Sequence, residues 1–224
     1  MNTTVYKAVQ SKRPAQDAFT AAEWRMVRQF DTPAKVQRYF SSIPYNREAN
    51  GPSMRSFREL IKRREAHCLE TAVGAAVILE QHGYPPLLLD LESRDLLDHV
   101  LFVFKEAGGW GSIGRSRDLG LHGRKPVYRS IRDLAWSYFD PFVDFSGRLM
   151  GYALTSLYEL GDYDWRFSPR HMRKIEDHLR AIPHHPLRSS EQRYQRLLAR
   201  YYRYKQRYPE RSPSYYDSRS TWML

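Results

Sequence analysis

The chain contains a single cysteine and no long apolar run. One cysteine excludes an intramolecular disulfide and suits a reducing compartment. No segment approaches the roughly 18 consecutive apolar residues of a membrane helix. Residues 1–21 carry charges without an apolar stretch, so no signal peptide is expected. Together these features predict a cytoplasmic protein without a membrane span.

Motifs for phosphate, dinucleotide and metal binding are also missing. The glycines at 108, 109, 111 and 114 follow a predicted strand but precede another strand, whereas phosphate-binding loops open a helix. A zinc site needs three or four convergent ligands. Neither His67 beside Cys68 nor the pair His184-His185 has a recognised ligand spacing. We therefore predict no metal and no cofactor.

Basic residues are present in excess and unevenly distributed. The net charge is +11, and residues 166–224 contribute 14 Lys and Arg against 5 Asp and Glu. A basic segment attracts nucleic acid, an anionic membrane or an acidic partner. The alternative is a solvated helical surface and tail. A nucleic-acid partner, if the protein has one, is expected to bind through this C-terminal region.

Local signals divide the chain into helices followed by strands. Residues 1–18 lack apolar periodicity and predict a flexible lead-in. Capping boxes at Thr20 and Ser56, and the pair Thr32-Pro33, predict three short helices. A helix over residues 67–82 follows, ended by Gly83. Apolar runs at 87–91, 100–105 and 110–113 predict strands.

The second half of the chain returns to helical patterns. Ser130 begins a helix, residues 152–160 fit either a helix or a strand, and helices are expected from Ser168-Pro169 to Leu179 and from Ser190 to Tyr208. The basic helices of residues 166–212 should pack on the core, and residues 213–224 should form a disordered tail. With 42% hydrophobic residues, the chain can bury one domain with an extension. The element order predicts an α+β fold with an antiparallel sheet.

Cys68 and His99 are the strongest candidates for chemistry. Cys68 opens a helix whose small side chains suit close packing, where free backbone N–H groups and the helix dipole favour a thiolate. His99 stands 31 residues later at the start of an apolar strand. A thiol and an imidazole so placed are the parts of a cysteine nucleophile and its base.

These residues give the chain a resemblance to the transglutaminase-like superfamily, which shares the papain-like core. The matching features are the Cys68 helix, the segment Asp98-His99-Val100, the turn at Gly108-Gly109 and the strand at Trp110. The resemblance covers roughly residues 55–140 of a domain expected over 19–165. It implies a nucleophile helix packed on an antiparallel sheet, extended by N- and C-terminal helices. It also implies that Cys68 attacks an amide or ester carbonyl while His99 acts as base.

The family pattern is broken at the carboxylate that orients the histidine. In the family an aspartate commonly follows the tryptophan by four residues, with a threonine two residues later. Here Gly114 takes the aspartate's place and Ser116 that of the threonine. Asp118 is the next carboxylate along the chain and is the candidate third catalytic residue, reaching back from a loop. Asp98 adjoins His99 but should point to the opposite face of the strand.

Three functions follow as hypotheses. The first is cysteine-dependent acyl chemistry on a peptide or other amide, as a protease, amidase or amide transferase, with Cys68, His99 and Asp118 as site residues. The second is a binding protein on the same fold whose catalysis is weakened by the loss of the carboxylate at Gly114. The third is a nucleic-acid-associated accessory protein that uses the basic C-terminal region. The sequence leaves the substrate and the oligomeric state open.

Overall fold

The computed structural model describes residues 13–49 and 51–224. Helices are distributed along the whole described part of the chain: α1 (Ala21–Gln29), α2 (Pro33–Ser42), α3 (Phe57–Arg63), α4 (Cys68–Glu80), α5 (Ile131–Trp136), α6 (Arg173–Ala181), α7 (Glu191–Arg207) and α8 (Arg219–Trp222). The strands are β1 (Leu87–Ser93), β2 (His99–Glu106), β3 (Gly109–Ile113), β4 (Arg124–Tyr128), β5 (Leu149–Ser156) and β6 (His185–Pro186). Short 3-10 helices lie at Gln16–Ala18, Leu119–Leu121 and Leu157–Leu160.

The six strands form one sheet in the order β4-β3-β2-β1-β5-β6, and every neighbouring pair is antiparallel. The α+β class with an antiparallel sheet is therefore confirmed. The three strands expected from apolar runs are present as β1, β2 and β3, and the turn at Gly108 joins β2 to β3. The uncertain stretch at 152–160 is the end of β5 followed by a 3-10 helix.

Helix α4 is the centre of the main hydrophobic core. Every residue from Leu69 to Glu80 is buried, because the sheet covers one side of the helix and the N-terminal helices cover the other. The small residues allow this close approach. A Cβ atom added at Gly74 would lie 2.7 Å from the Phe40 ring of α2. A second core on the opposite face of the sheet contains Leu101, Tyr138 and Phe139.

The N-terminal helices begin where the sequence predicts. Thr20 forms both hydrogen bonds of a capping box with Glu23, and the Thr32 hydroxyl accepts from the Lys35 N–H. Ser56 also precedes its helix, but its hydroxyl donates to the Ser168 carbonyl at 2.7 Å instead of capping α3. Of the expected lead-in, residues 1–12 lie outside the described residues, and Gln16–Ala18 forms a 3-10 turn.

Two edge strands and one helix start differ from expectation. β4 contains Pro126 and charged residues, and β6 has only two residues, so neither carries an apolar strand pattern. Helix α6 begins at Arg173 and not directly after Ser168-Pro169. The Ser168 hydroxyl accepts from the Arg170 N–H at 3.2 Å, which forms a local turn in place of a helix start.

The C-terminal segment packs on the core, and its final residues correct the expectation of a disordered tail. Ile175 of α6 lies in the main core, and Tyr194 and Tyr201 of α7 are buried. Residues 213–224 include helix α8, whose Trp222 ring lies 4.5 Å from the guanidinium carbon of Arg124. Apolar and cation–π contacts hold these final residues against the rest of the protein. The polar composition of the tail does not indicate such contacts.

Candidate active site

The nucleophile helix and strand β2 bring Cys68 and His99 together. Cys68 is the first residue of α4, and His67 is its N-cap. His99 begins β2 and pairs with Leu91 of β1. Both Cys68 and His99 line one cleft of about 480 Å³, and Cys68 is partly exposed to it. The two residues singled out from the sequence are therefore neighbours in the fold.

The surroundings of Cys68 favour the thiolate. Burial by itself would raise the pKa of the thiol, but hydrogen bonds and positive charge from His67 and His99 hold it well below its ordinary value. The position of Cys68 in the first turn of α4 adds the positive end of the helix dipole. A thiolate is the reactive form of cysteine, so the geometry prepares this side chain for nucleophilic attack.

His67 is a second imidazole at the thiol, and the sequence analysis had considered it only as a metal ligand. Its Nε2 lies 2.8 Å from the Ser53 carbonyl oxygen. Burial opposes its charged form, but contact with Cys68, the charge of Glu70 and the Ser53 carbonyl raise the pKa of His67 to about 9. This ring therefore carries a proton at neutral pH and lies beside a thiol whose pKa is lowered. Its position directly before Cys68 at the helix start was the signal available in the sequence.

Glu70 organises the segment that leads into the helix. Its buried carboxylate accepts hydrogen bonds from the Asn46 amide at 3.0 Å, the Ser53 hydroxyl at 3.1 Å, and the backbone N–H groups of Arg55 and His67 at 3.1 and 3.2 Å. These donors satisfy a carboxylate that would otherwise be costly to bury. The network fixes His67 and the Ser53 carbonyl relative to the first turn of α4.

The far nitrogen of the His99 ring has a backbone partner. Its Nε2 lies 2.8 Å from the carbonyl oxygen of Leu121. A Cβ atom added at Gly114 would lie 3.5 Å from the same nitrogen and 3.4 Å from that carbonyl oxygen. Position 114 is thus beside the histidine, where the resemblance leads to the expectation of a carboxylate. The Leu121 carbonyl contacts the ring nitrogen instead. With the proton on Nε2, the other ring nitrogen, Nδ1, is left for Cys68.

Asp118 lies in the cleft but is bonded elsewhere. Its Oδ1 accepts a hydrogen bond from the Ser212 hydroxyl at 2.6 Å. The contact that orients the His99 ring is therefore made by the Leu121 carbonyl. The expected contact between Asp118 and His99 is not formed, because Asp118 is bonded to Ser212. Asp98 accepts from the Ser93 N–H at 2.8 Å, and it also lines the cleft.

Arg124 holds the loop that carries the Leu121 carbonyl. Its side chain is fully buried, and its guanidinium donates to the carbonyls of Gly120 and His122, each at 2.6 Å. The guanidinium carbon also lies 3.8 Å from the Tyr138 ring centre. Because Gly120 and His122 flank Leu121, this fork fixes the carbonyl that meets His99. The sequence analysis had not singled out Arg124.

Other walls of the cleft come from segments that the sequence analysis did not connect with the site. Tyr45 lines one side, and burial together with the negative charge at Cys68 raises the pKa of its phenol. Tyr201 of α7 and Pro213 line another side. No motif in the sequence links these residues to Cys68, since Tyr45 comes near through its bridge to Ala66 and Tyr201 through the packing of α7.

The other candidate residues are separate from the cleft. His184 contacts Asp90 at 3.1 Å, and His185 is exposed. Within residues 13–49 and 51–224, no group of three or more His, Cys, Asp or Glu is arranged to hold a metal ion. Over the same residues, no helix combines the length and apolar character that crossing a bilayer requires.

A comparison with known proteins adds no relative to these observations. Neither the models of known protein families nor the curated proteins include a match to this chain. The interpretation of the site therefore depends on its own geometry.

Proposed function

We propose that the protein carries out cysteine-dependent acyl chemistry on a peptide or other amide. The observation that carries the proposal is the partly exposed Cys68 thiol, which lies at a helix N-terminus between His67 and His99. A helix start, two imidazoles and an open cleft are what a cysteine nucleophile requires. A nucleophile helix packed against an antiparallel sheet also supports a papain-like arrangement of the core. A single free thiol suits the reducing cytoplasm.

In the proposed reaction the Cys68 sulfur attacks the carbonyl carbon and forms a carbon–sulfur bond. The carbonyl oxygen becomes an oxyanion, and the backbone N–H of Cys68, in the first helical turn, has no partner within the helix and is available to it. His99, which carries the proton taken from the thiol, gives it to the departing amine as the carbon–nitrogen bond breaks. Water or an acceptor amine then attacks the thioester, loses its proton to His99 and releases the thiol.

The two imidazoles have different tasks in this scheme. His67 is fixed through Nε2 to the Ser53 carbonyl and stays charged through neutral pH, so it stabilises the thiolate. His99 is fixed through Nε2 to the Leu121 carbonyl and moves the proton. A neutral carbonyl orients an imidazole but stabilises its charged form less than a carboxylate does. The rate of acyl transfer should accordingly be lower than in an enzyme with a full triad.

A binding protein with weakened catalysis is the second candidate, and Gly114 is the observation in its favour. Among the described residues, the hydrogen-bond partner of His99 Nε2 is the Leu121 carbonyl, and the position where an added Cβ atom would lie 3.5 Å from this nitrogen is a glycine. Such a protein would use the same cleft to hold a peptide without turning it over. The two functions differ in whether an acyl group placed on Cys68 is released.

Reaction with 4-nitrophenyl acetate tests the proposal. We expect a burst of nitrophenol from the native protein, acetylation of Cys68 detected by mass spectrometry, and release of the acetyl group on the time scale of minutes. Cys68→Ser should abolish the burst, and His99→Asn should slow both steps. An exposed histidine variant, His185→Asn, is the matched control and should behave like the wild type. Stable acetylation without release favours the binding protein, and a thiol that reacts only after denaturation contradicts the proposed acyl chemistry.

A further inference from the structure

The cleft around Cys68 is acidic in a chain that is strongly basic. The whole sequence has 36 Lys and Arg against 25 Asp and Glu. The walls of the cleft reverse this balance, with Arg47 and Arg117 as the cationic side chains of fixed charge. The carboxylates that line it are Glu48, Asp95, Asp98, Asp118 and Asp144. In the described part of the chain, neither Asp118 nor Asp144 forms an ion pair with lysine or arginine.

Tyr201 lines the same cleft as these two aspartates and is close enough to feel both charges. Its side chain is 7% exposed, lines the cleft and packs edge-on against Phe145, with ring centres 4.9 Å apart. Burial raises the pKa of Tyr201 to about 12, and the negative charges of Asp144 and Asp118 contribute to that rise. Among the described residues none forms a hydrogen bond with the Tyr201 hydroxyl, and its oxygen is not one of their fully buried atoms left without a partner. The hydroxyl of this largely buried side chain therefore opens into the cleft, where a ligand can reach it.

Both aspartates are held in place, and among the described residues neither Oδ2 atom accepts a hydrogen bond or forms an ion pair. Asp118 Oδ1 accepts from the Ser212 hydroxyl at 2.6 Å. Asp144 Oδ1 accepts from the backbone N–H groups of Ser146 and Gly147 at 3.0 and 2.6 Å. Anchored carboxylates lose little side-chain entropy when a cation binds, unlike mobile surface acids. The Oδ2 atoms of both and an aromatic face are the groups that bind ammonium or guanidinium ions.

We propose that Asp118, Asp144 and Tyr201 form a subsite for a cationic group, so that the substrate is a peptide with a basic side chain near the carbonyl that Cys68 attacks. This inference rests on the proposed function, because it takes Cys68 as the attacking group. The subsite and the thiol share one cleft, so a lysine or arginine side chain in the subsite can belong to the same peptide as the reacting carbonyl. The Tyr201 hydroxyl and the free carboxylate oxygens then gain the partners that they lack.

Charged thiol reagents of matched size test the subsite. Methanethiosulfonates with a trimethylammonioethyl, a sulfonatoethyl or a methyl group all transfer their thio group to a thiolate, forming a mixed disulfide and releasing methanesulfinate. Cys68 is the only cysteine, so every rate refers to this residue. The quantity compared is the rate with the cationic reagent divided by the rate with the anionic reagent. We expect this ratio to be about tenfold higher for Cys68 in the native protein than for a small free thiol. Asp144→Asn should abolish most of that preference, and the rate with the neutral methyl reagent should stay unchanged.

Two further variants keep the test decisive. Tyr201→Phe removes only the hydroxyl and should lower the ratio less than Asp144→Asn. Asp162→Asn changes an exposed aspartate outside the cleft and should leave the ratio unchanged. An unchanged ratio in Asp144→Asn, with a wild-type thermal midpoint, overturns the subsite. A native Cys68 that is slow towards the neutral reagent overturns the proposed function instead, so the two failures are distinguishable.

Discussion

At the scale of single residues, the site depends on the different anchors of two histidines. Both rings use Nε2 to contact a backbone carbonyl, Ser53 for His67 and Leu121 for His99. Only His67 lies within reach of the Glu70 carboxylate, 3.6 Å from Oε1. That negative charge is one reason why His67 keeps its proton when Cys68 becomes a thiolate.

His67→Gln should raise the pKa of the Cys68 thiol. In the native protein the thiol pKa is well below its ordinary value and that of His67 is raised to about 9, so the ion pair extends below the ordinary thiol pKa and is lost as the pH rises through about 9. Alkylation by iodoacetamide should therefore stay faster, as the pH falls below about 8.5, than alkylation of an ordinary thiol, which becomes protonated there. In His67→Gln the rate at pH 6 should fall about tenfold relative to pH 8.5. An unchanged pH profile would assign the lowered pKa to His99 alone.

Asp118→Asn distinguishes the carbonyl-oriented histidine from a full triad. Because the Leu121 carbonyl holds His99, the neutral variant should change the burst with 4-nitrophenyl acetate less than about threefold, whereas loss of a triad aspartate can cost about 10⁴-fold. Asp98→Asn is the matched control beside His99. A loss of several orders of magnitude in Asp118→Asn would show that the loop moves to bring this carboxylate to the ring during catalysis.

The sequence could predict that Cys68 and His99 belong to one candidate site but not which groups orient them. Cys68 and His99 stand at element starts with strong patterns, so their type and position were visible. The partner of His99 is a backbone carbonyl, and every residue has one, so no residue type marks Leu121. The gap at Gly114 was visible as the absence of a carboxylate. Its consequence depended on the loop that fills the space, which only the fold defines.

At the scale of elements, the loop between β3 and β4 depends on one buried cation. Arg124 begins β4, and its guanidinium donates to carbonyls of the preceding loop and to Ser137. No carboxylate of a described residue forms an ion pair with it, and burial lowers its pKa. The ring centres of Tyr138 and Trp222 lie 3.8 and 4.5 Å from the guanidinium carbon. Carbonyl dipoles and ring faces stabilise this charge in place of an ion pair.

Arg124→Met should affect both stability and reactivity. Several buried carbonyls would lose their donor, at a cost of about 1–3 kcal/mol for each group left unsatisfied. We expect a lower free energy of unfolding in urea and, because the Leu121 carbonyl shifts, a changed pH profile for acylation of Cys68. Arg124→Lys should restore part of both properties. Arg129→Met, at an exposed neighbour, should do neither. A normal pH profile in a destabilised but folded Arg124→Met would limit this residue to a structural role.

The helices and strands with long patterns were predictable, and the short edges were not. α4 and β1 to β3 follow apolar patterns in the sequence. These elements can therefore be predicted without knowledge of their tertiary contacts. β4 is an edge strand with Lys125, Pro126 and the buried Arg124. Carbonyls of the preceding loop and two rings distant in sequence enclose that arginine. β6 depends on pairing with Gly151 and Tyr152 of β5. Local propensity contains no information on either contact.

At the scale of the whole molecule, the C-terminal segment links the second core to the cleft. α7 contributes Tyr201 to the cleft, and α8 places Trp222 over Arg124. The Leu224 N–H donates to the Gly123 carbonyl at 3.2 Å, in the loop next to Leu121. Much of the basic charge of this segment remains on exposed arginines of α7, including Arg196 and Arg203. The surface is thus basic outside and acidic within the cleft.

Removal of residues 213–224 should reveal whether this segment completes the fold or serves as a nucleic-acid arm. Without Trp222 one face of the Arg124 guanidinium loses its cover, and the loop that orients His99 loses its contact with Leu224. We expect the thermal midpoint to fall by about 5–10 °C, since loss of a few kcal/mol has that effect in a domain of this size. Acylation of Cys68 should slow in parallel.

The full chain with Arg196→Ala and Arg203→Ala provides the matched control, because it removes charge without removing packing. This double variant should keep the wild-type midpoint and acylation rate. A nucleic-acid arm predicts the opposite pattern: an unchanged midpoint after truncation, and a loss of salt-sensitive binding to RNA or DNA in the double variant. The two patterns exclude each other because burial of Trp222 contributes to the free energy of folding whatever the salt concentration, whereas contacts to phosphate do so only when a nucleic acid is bound.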